Sequence, residues 1–200
     1  MFNELPDPLK SLIKSLQQVP YLASKNMYRV TTYFLDMDQE KMEQFCRVLL
    51  QAQKNVVHCS ICFFWQDKDK NCFFCSSTNR DQSIVCVVET WQELMAIEKT
   101  GGYNGVYHIL GGVICPLEGI GPDNLTINQL LGRVDSDVKE IIFALNQTPE
   151  GEATAAYIAS KLQASSVLIT CLARGIPVGS SLEYIDRLTV YKALSERRPF

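Results

Sequence analysis

The chain has 200 residues, of which 46% are hydrophobic, and this is enough for one compact domain or two small ones. It lacks the run of about 18 apolar residues that a membrane-spanning helix needs, and its first residues, Met1 to Leu9, lack the basic start and apolar core of a secretory signal. The net charge of −3 argues against broad nucleic-acid binding. However, residues 1–55 carry seven Lys/Arg against six Asp/Glu, whereas residues 81–200 carry nine against fourteen. We therefore expect a cytoplasmic protein whose phosphate contacts, if any, lie in the N-terminal third.

The first predicted element is an amphipathic helix. Asp7 is placed to cap it, with Pro8 at the first helical position. Its apolar residues recur at i, i+3, i+4 and i+7, the spacing of one helical face: Leu9, Leu12, Ile13 and Leu16. The Val19-Pro20 pair ends the pattern.

Two further short helices are predicted in this part of the chain. One runs from Ser24 to about Leu35, and the next begins near Asp38. The third helix has three apolar residues on one face: Met42, Phe45 and Leu49. Helices this short must pack on each other or on a partner chain.

Four cysteines in two CxxC pairs follow the helices. Nine residues separate Cys59 and Cys62 from Cys72 and Cys75. Each pair directs two thiolates at one centre, so the four predict a closed tetrahedral zinc site, which is structural because no ligand position stays open. In a reducing cytoplasm such pairs bind metal more often than they form disulfides. His58 precedes the first pair, but four cysteines already complete the shell.

Aromatic residues surround these cysteines. Trp65 to Asn71 is predicted to be a polar hairpin tip between the two pairs. We expect most of the neighbouring phenylalanines to form the small core of the module, with a stacking surface as the alternative: Phe63, Phe64, Phe73 and Phe74. The other cysteines lie singly in apolar stretches and are expected to be inert core residues: Cys46, Cys86, Cys115 and Cys171.

Strands and helices alternate from residue 83 onward. Ser83 to Val88 is a short apolar run that ends at Glu89, which is typical of a strand buried on both faces of a parallel sheet. The alternation predicts an α/β layer with a parallel sheet. Further strands are predicted at 106–110, 140–145 and 166–173, and helices at 91–99, 125–134 and 151–163.

The carboxyl ends of parallel strands share one edge of a sheet, and sites in such sheets lie there. We expect four segments along that edge: Glu89, Gly111-Gly112, Asn146-Gln147-Thr148 and Arg174-Gly175. His108 lies within an apolar strand and is expected to be a hydrogen-bonded core histidine. The double glycines are not a phosphate loop, because no Gly-Lys-Ser/Thr follows them.

Several stretches match one known family in order and spacing. They are the two CxxC pairs, Arg80-Asp81, Val87-Val88-Glu89, and the stretches at 100–112, 116–122, 150–154, 174–179 and 182–186. By these stretches the chain resembles the RecR family of bacterial recombination mediators over almost its whole length. The resemblance implies an N-terminal helix-hairpin-helix, a zinc finger, a Toprim domain, and a C-terminal tail that helps to assemble a ring.

The resemblance also implies partners. They are single-stranded and duplex DNA, the mediators RecO and RecF, and further copies of the chain in a dimer or a tetrameric ring. Together these proteins load RecA onto single-stranded DNA at gaps, so the protein would be associated with the nucleoid when it acts on DNA. A ring would let a chain of net charge −3 bind DNA, because several copies aim a few basic residues into one lumen.

The predicted hairpin departs from the family pattern. RecR proteins usually have Leu-Pro-Gly-Ile-Gly-Pro-Lys there, whereas this chain has Tyr21 and Ala23 in place of the two glycines. Glycines permit left-handed backbone angles and let main-chain N–H groups approach a phosphate. Lys25 and Arg29 remain, four residues apart on one helical face, and are the predicted DNA-binding residues. The alternative is a solvated helix face.

The Toprim-like part lacks two carboxylates. Toprim enzymes hold magnesium with a strand-end Glu and an Asp-x-Asp pair; Glu89 fits the first role, but Asn146-Gln147-Thr148 stands where the pair would be. Two neutral side chains do not balance a divalent ion as two carboxylates do. Glu89 is therefore predicted to be a partner-contact residue or a weak magnesium site, and Glu150 and Glu152 are expected to favour the start of their helix.

These observations predict an α/β protein in four parts: a helical helix-hairpin-helix-like domain (residues 1–55), a zinc finger (56–79), a Toprim-like domain (80–175) and an assembly tail (176–200). The predicted function is a non-catalytic mediator of DNA recombination and repair with one structural zinc ion. Two alternatives remain open. One is a magnesium-dependent nuclease or primase-like enzyme that uses Glu89, and the other is a protein-interaction adaptor that does not bind DNA itself.

Overall fold

A computed structural model describes residues 5–134, 137–197 and 199. The chain divides into two compact units, one ending at Val56 and the other beginning at Val57, and each is described by itself. The division into four domains stays a prediction. Within the described residues, no helix has both the length and the apolar character needed to cross a membrane.

The first unit consists of three helices: α1 (Asp7–Leu16), α2 (Ser24–Leu35) and α3 (Gln39–Asn55). Helices α1 and α2 pack together, and their buried residues are Ile13, Met27 and Thr31. The predicted apolar stripe of α1 is its least exposed face. The predicted cap is wrong by one residue, because Pro6 precedes the helix and Asp7 is its first residue, where its carboxylate pairs with Lys10 at 3.0 Å.

Helix α3 buries none of its residues. Of its predicted apolar face, Met42 is half-buried, whereas Phe45 and Leu49 are exposed, as are Val48 and Leu50. The one aromatic contact from α3 to α2 joins the rings of Phe45 and Phe34, whose centroids are 5.6 Å apart. A 17-residue helix with this many exposed apolar side chains has a surface suited to another protein.

The second unit contains a parallel sheet of four strands in the order β4-β3-β5-β6. The strands are β3 (Asp81–Val88), β4 (Gly105–Ile109), β5 (Glu140–Phe143) and β6 (Leu168–Cys171). The helices between them are α4 (Trp91–Glu98), α5 (Ile127–Arg133) and α6 (Pro149–Leu162). The parallel α/β layer predicted from the sequence is therefore present.

Central strand β3 explains why this alternation folds as it does. It pairs on one side with β4 and on the other with β5, with Val87 opposite both His108 and Phe143. Its last four residues are buried on both faces, so a continuous apolar run replaces the alternation of a half-buried strand. One face packs with α5 and α6, and the other packs with α4 and the cysteine module.

The cysteine module contains a two-stranded sheet of β1 (Val56–His58) and β2 (Trp65–Asp67). The expectation of a hairpin tip over Trp65 to Asn71 is wrong at its start, because Trp65 to Asp67 pair with β1. Trp65 stacks on His58 with ring centroids 3.7 Å apart. Phe63, Phe64 and Phe74 pack in the core of the module, whereas Phe73 is 73% exposed.

The chain ends, among its described residues, in a mainly exposed tail. After β6 it runs through a 3-10 turn at Leu182–Tyr184 to helix α7 (Arg187–Ser195), which Asp186 caps by accepting a hydrogen bond from the Thr189 N–H at 2.9 Å. Of the four single cysteines, Cys86 is buried as expected and Cys115 is half-buried. The expectation is wrong for Cys46 and Cys171, which are exposed.

Candidate functional site

The four paired cysteines converge on one centre. Their sulfur atoms all lie within 4.8 Å of one another, and three of the four residues are buried. The Cys62 and Cys72 sulfurs are 3.5 Å apart, and those of Cys59 and Cys75 are 3.9 Å apart. Directly after the first pair, the backbone of Phe63 takes a left-handed φ of 63°.

This arrangement fits a tetrahedral zinc ion. Zinc–sulfur bonds of about 2.3 Å in a tetrahedron place the sulfurs about 3.8 Å apart. Hydrogen bonds with the Cys62 and Cys75 thiols lower the pKa of the Cys72 thiol, which favours its thiolate form. His58 does not point at the cluster, because its Nδ1 is 2.8 Å from the Phe63 carbonyl oxygen.

The cysteine module is attached to the sheet through the ligands themselves. The Ile109 N–H at the end of β4 donates to the Cys62 carbonyl at 2.9 Å. The Phe74 ring meets the ring of Tyr107 edge to face, with centroids 5.3 Å apart. Contacts from Cys62 and Phe74 therefore attach the cysteine module to one face of the sheet.

Arg80 completes this attachment. Its guanidinium donates to both oxygens of Glu98, at 3.0 and 2.6 Å, and to the Gly105 carbonyl at 3.0 Å. The guanidinium carbon also lies 4.9 Å from the centroid of the Phe74 ring. Although burial opposes it, hydrogen bonds from Arg80 and Tyr107 lower the pKa of the Glu98 carboxyl. Arg80 thus joins the module to α4 and β4.

His108 is a hydrogen-bonded core histidine, as predicted. It is fully buried, and its Nε2 lies 2.9 Å from the Thr126 hydroxyl oxygen and 3.0 Å from the Thr126 carbonyl oxygen. The Thr126 hydroxyl donates its own proton to the Ile109 carbonyl at 2.7 Å, so both Thr126 oxygens accept and the His108 proton is assigned to Nε2. Burial lowers the pKa of His108 to about 4.

Glu89 lies at the carboxyl edge of the sheet, immediately after β3, and is only 8% exposed. One of its oxygens accepts from the Asn146 backbone N–H at 2.6 Å, and the other accepts from the Asn146 side-chain amide at 2.8 Å. Asn146 follows β5, the strand next to β3. An amide therefore faces Glu89 at a position where a metal site needs a second carboxylate.

The start of α6 closes over this pair. A Cβ atom at Gly151 would lie 2.1 Å from the Asn146 carbonyl oxygen and 3.3 Å from Glu89 Oε1, so only glycine fits there. Thr148 caps the helix by accepting from the Gly151 N–H at 3.1 Å. The Glu89 carboxylate is thus held by main-chain and amide donors against a helix start.

The two acids of α6 do not join Glu89 in a carboxylate cluster. Glu152 pairs with Arg174 at 3.2 Å and with Lys192 of α7 at 3.1 Å. Ion pairing with Lys192 and then Arg174 lowers the pKa of Glu152. Among the described residues, the cysteine cluster is the one group of three or more acids, cysteines or histidines that lies close enough together to hold a metal ion. A weak magnesium site at Glu89 stays a prediction.

The helical unit presents the third candidate site, in the turn between α1 and α2. Tyr21, which replaces the first glycine of the usual family pattern, has a left-handed backbone with a φ of 64°. Its side chain is fully exposed. Lys25 and Arg29 are exposed on α2, and neither has an ion-pair partner among the residues that the structure describes. The first turn of α2 contains no acid.

Two parts of the chain match models of known protein families. A Toprim domain model matches residues 83–173, and a model of the RecR C-terminal region matches residues 175–198. With the four-cysteine cluster, these matches decide the family. The chain belongs to the RecR family. The RecR C-terminal match covers the tail, and the Toprim match covers the sheet with Glu89 and Asn146.

The tail that matches the RecR C-terminal region is rich in exposed apolar side chains. Seven of its large apolar residues are exposed among those described: Ile176, Val178, Leu182, Tyr184, Leu188, Tyr191 and Leu194. Such a contiguous stretch has the composition of a protein-binding surface and is unusual in a monomer. The Lys192–Glu152 ion pair, at 3.1 Å, links helix α7 of the tail to helix α6 of the Toprim-like part.

Sequence reasoning and structure agree unevenly at these sites. The structure brings the four cysteines together, and it places Glu89 beside Asn146. It leaves Lys25 and Arg29 as exposed side chains whose role stays a prediction. Sequence reasoning missed Arg80 as the link between module and sheet, although Arg80-Asp81 was already among the stretches shared with the RecR family. It also missed that Asn146 holds Glu89, which only the pairing of β3 with β5 reveals.

Proposed function

We propose that this RecR protein is a non-catalytic mediator of recombinational repair that binds DNA as a homo-oligomer. Its membership of the family supports a role in recombination. The proposal of a non-catalytic role rests on the Glu89–Asn146 pair. Both carboxylate oxygens of Glu89 accept hydrogen bonds from Asn146, one from its backbone N–H and one from its side-chain amide. A Toprim sheet built in this way serves as a scaffold and as a docking surface.

DNA binding is proposed to come from Lys25 and Arg29. Both are exposed, and their spacing of four residues on α2 places two cations one above the other, as two successive phosphate contacts require. One copy supplies too few contacts for strong binding. A dimer or a tetrameric ring would multiply them on single-stranded and duplex DNA.

Assembly is proposed to use the exposed apolar surfaces of α3 and of the tail. These two surfaces lie in different units of the chain, so one protomer can contact two neighbours. A chain with two such surfaces can form a closed ring. This is the support for a dimer or a tetrameric ring.

The metal is proposed to be one structural zinc ion held by Cys59, Cys62, Cys72 and Cys75. With four thiolates the ion has no open position for substrate or water. It would stabilise the module and, through Cys62 and Ile109, the edge of the sheet. Zinc supplies folding energy here and takes no part in a reaction.

The partners are proposed from the family. RecO- and RecF-type mediators would act with this protein to promote RecA loading at single-stranded gaps, in the cytoplasm at the nucleoid. The acidic C-terminal part of the chain, nine Lys/Arg against fourteen Asp/Glu in residues 81–200, suits basic partner surfaces more than DNA.

The test is fluorescence anisotropy with labelled single-stranded and duplex DNA over a series of salt concentrations. We expect salt-dependent binding that Lys25→Ala/Arg29→Ala weakens. Two lost phosphate contacts reduce the slope of log K against log salt by about 1.4 on single strands, at about 0.7 for each contact. A matched control is Lys10→Ala/Lys14→Ala, which removes two charges at the same spacing from α1.

Three outcomes separate the candidates. Selective loss in the Lys25→Ala/Arg29→Ala variant supports the proposal. Equal loss in the α1 control would mean that binding follows net charge and that these two residues are not the site. No DNA binding by zinc-loaded wild-type protein would favour the adaptor that leaves DNA to a partner.

A further inference from the structure

Tyr21 is the most unusual residue of the helical unit. It is one of only two non-glycine residues with a positive φ among those described, and its side chain is 105% exposed relative to a reference tyrosine. A left-handed backbone angle is strained for a residue that has a Cβ atom. Phe63, the other such residue, packs in the core of the cysteine module, whereas Tyr21 makes no burial contact that offsets this strain.

The charged residues that follow Tyr21 in the chain are basic as far as Leu35, and the first acid, Asp36, lines a groove with Arg29. From Tyr21 to Leu35 the chain has two charged residues, Lys25 and Arg29, and both are exposed cations. The residues next to the ring are small or half-buried: Leu22 is half-buried, and Ala23 and Ser24 are exposed. Tyr28, on α2 between the two cations in sequence, and Val19, before Tyr21, are also exposed, at 49% each.

Exposed aromatic rings beside cations have the chemistry of a single-stranded nucleic-acid site. Such sites combine basic side chains that contact the backbone with aromatic rings on which unpaired bases stack. Duplex bases are already stacked inside the helix and offer no free face without unstacking. The fully exposed Tyr21 ring offers a free face to an unpaired base.

We propose that Tyr21 stacks on an unpaired base of single-stranded DNA while Lys25 and Arg29 contact the flanking phosphates. This inference rests on the proposed DNA binding and specifies its ligand class: the hairpin prefers single strands to duplex. It also explains why a strained aromatic residue stands where a glycine would adopt the same backbone angle without cost.

The test separates the ring from the backbone angle. Tyr21→Gly and Tyr21→Asn both tolerate the left-handed angle but remove the ring, whereas Tyr21→Phe keeps the ring. We expect Tyr21→Gly and Tyr21→Asn to unfold at a urea concentration equal to or higher than that of wild type. Both should nevertheless bind single-stranded oligothymidine about five-fold or more weakly than wild type. Tyr21→Phe should bind like wild type, and duplex affinity should change little in all three.

A second measurement reports stacking directly. In Tyr21→Trp, an introduced indole that stacks on a base loses fluorescence when single-stranded DNA is added, and wild-type protein gives the background from Trp65 and Trp91. Wild-type binding with unchanged affinity in Tyr21→Gly and Tyr21→Asn would overturn the stacking inference and leave the proposed DNA binding intact. An equal loss on duplex and single strands would overturn the preference for single strands. Absence of DNA binding by wild type would overturn both proposals.

Discussion

Two hydrogen bonds from Asn146 determine what Glu89 can do. The backbone N–H and the side-chain amide occupy both carboxylate oxygens, and the absence of a Cβ at Gly151 lets the helix start come close. The carboxylate is therefore a fixed acceptor that joins β3 to β5. In a magnesium site the same two strands would be joined through a metal ion.

This arrangement predicts the effect of Asn146→Asp. The change puts two carboxylates at hydrogen-bond distance, so we expect a loss of about 1–3 kcal/mol in the free energy of unfolding. The pair raises the folded pKa of one carboxyl, so the penalty is small at low pH and grows as pH rises through that pKa. Urea unfolding across this pH range, with Asn146→Ala as the control, measures it.

Adding magnesium to the same urea unfolding experiment tests whether the two carboxylates bind a metal ion. Millimolar magnesium should recover part of the stability of Asn146→Asp, because paired carboxylates bind the ion, and should leave wild type unchanged. Stabilisation of wild type by magnesium, together with DNA cleavage that Glu89→Gln abolishes, would instead support the enzymatic alternative.

His108 gives the protein a defined response to acid. Burial lowers the pKa of His108 to about 4, below its ordinary value of about 6.5, so the unfolded chain takes up the proton first. The stabilisation that neutral His108 gives the folded protein is complete above about pH 6.5. It is lost as pH falls towards 4, which lowers the free energy of unfolding by up to about 3 kcal/mol. In His108→Gln the dependence of the free energy of unfolding on pH should be flatter over this interval; an unchanged dependence would contradict the assignment.

At the scale of elements, the cysteine module and the sheet are predicted to be coupled. The Ile109 N–H donates to the carbonyl of Cys62, one of the four proposed zinc ligands, whereas the Ala144 N–H donates to the Val87 carbonyl inside the sheet. Chelation of zinc should therefore speed amide hydrogen exchange at Ile109 and in β1 and β2 far more than at Ala144. Metal analysis should give one zinc ion per chain. Equal exchange at Ile109 with and without chelator would contradict the coupling.

The elements themselves could largely be predicted from the sequence. The sheet strands and their helices are long periodic or apolar runs, and their pattern decides their structure locally. Strand β2 could not be predicted, because Trp65 to Asp67 is too short and polar, and pairs only because the cysteines bring it to β1. The positions of Asn146 and Arg80 depend on strand order and on packing between distant segments, which no local pattern encodes.

At the scale of the whole molecule, two exposed apolar surfaces and an uneven charge distribution suit assembly. We predict that the protein is a concentration-dependent oligomer. Leu188→Asp/Tyr191→Asp in the tail should shift the sedimentation coefficient towards that of a smaller species without unfolding the sheet, because both side chains are exposed on α7. A wild-type protein that sediments as a monomer at micromolar concentration would contradict the ring.

The proposed function is mediation of RecA loading without any chemistry on DNA. The most direct measurement is the rate of RecA filament assembly on gapped duplex DNA, with a RecO-type partner and with wild-type or Lys25→Ala/Arg29→Ala protein. We expect wild-type protein to accelerate RecA filament assembly and the double variant not to do so. The DNA should remain uncut in both cases. No acceleration by zinc-loaded, oligomeric wild-type protein, or cleavage of the gapped DNA, would contradict the proposed function.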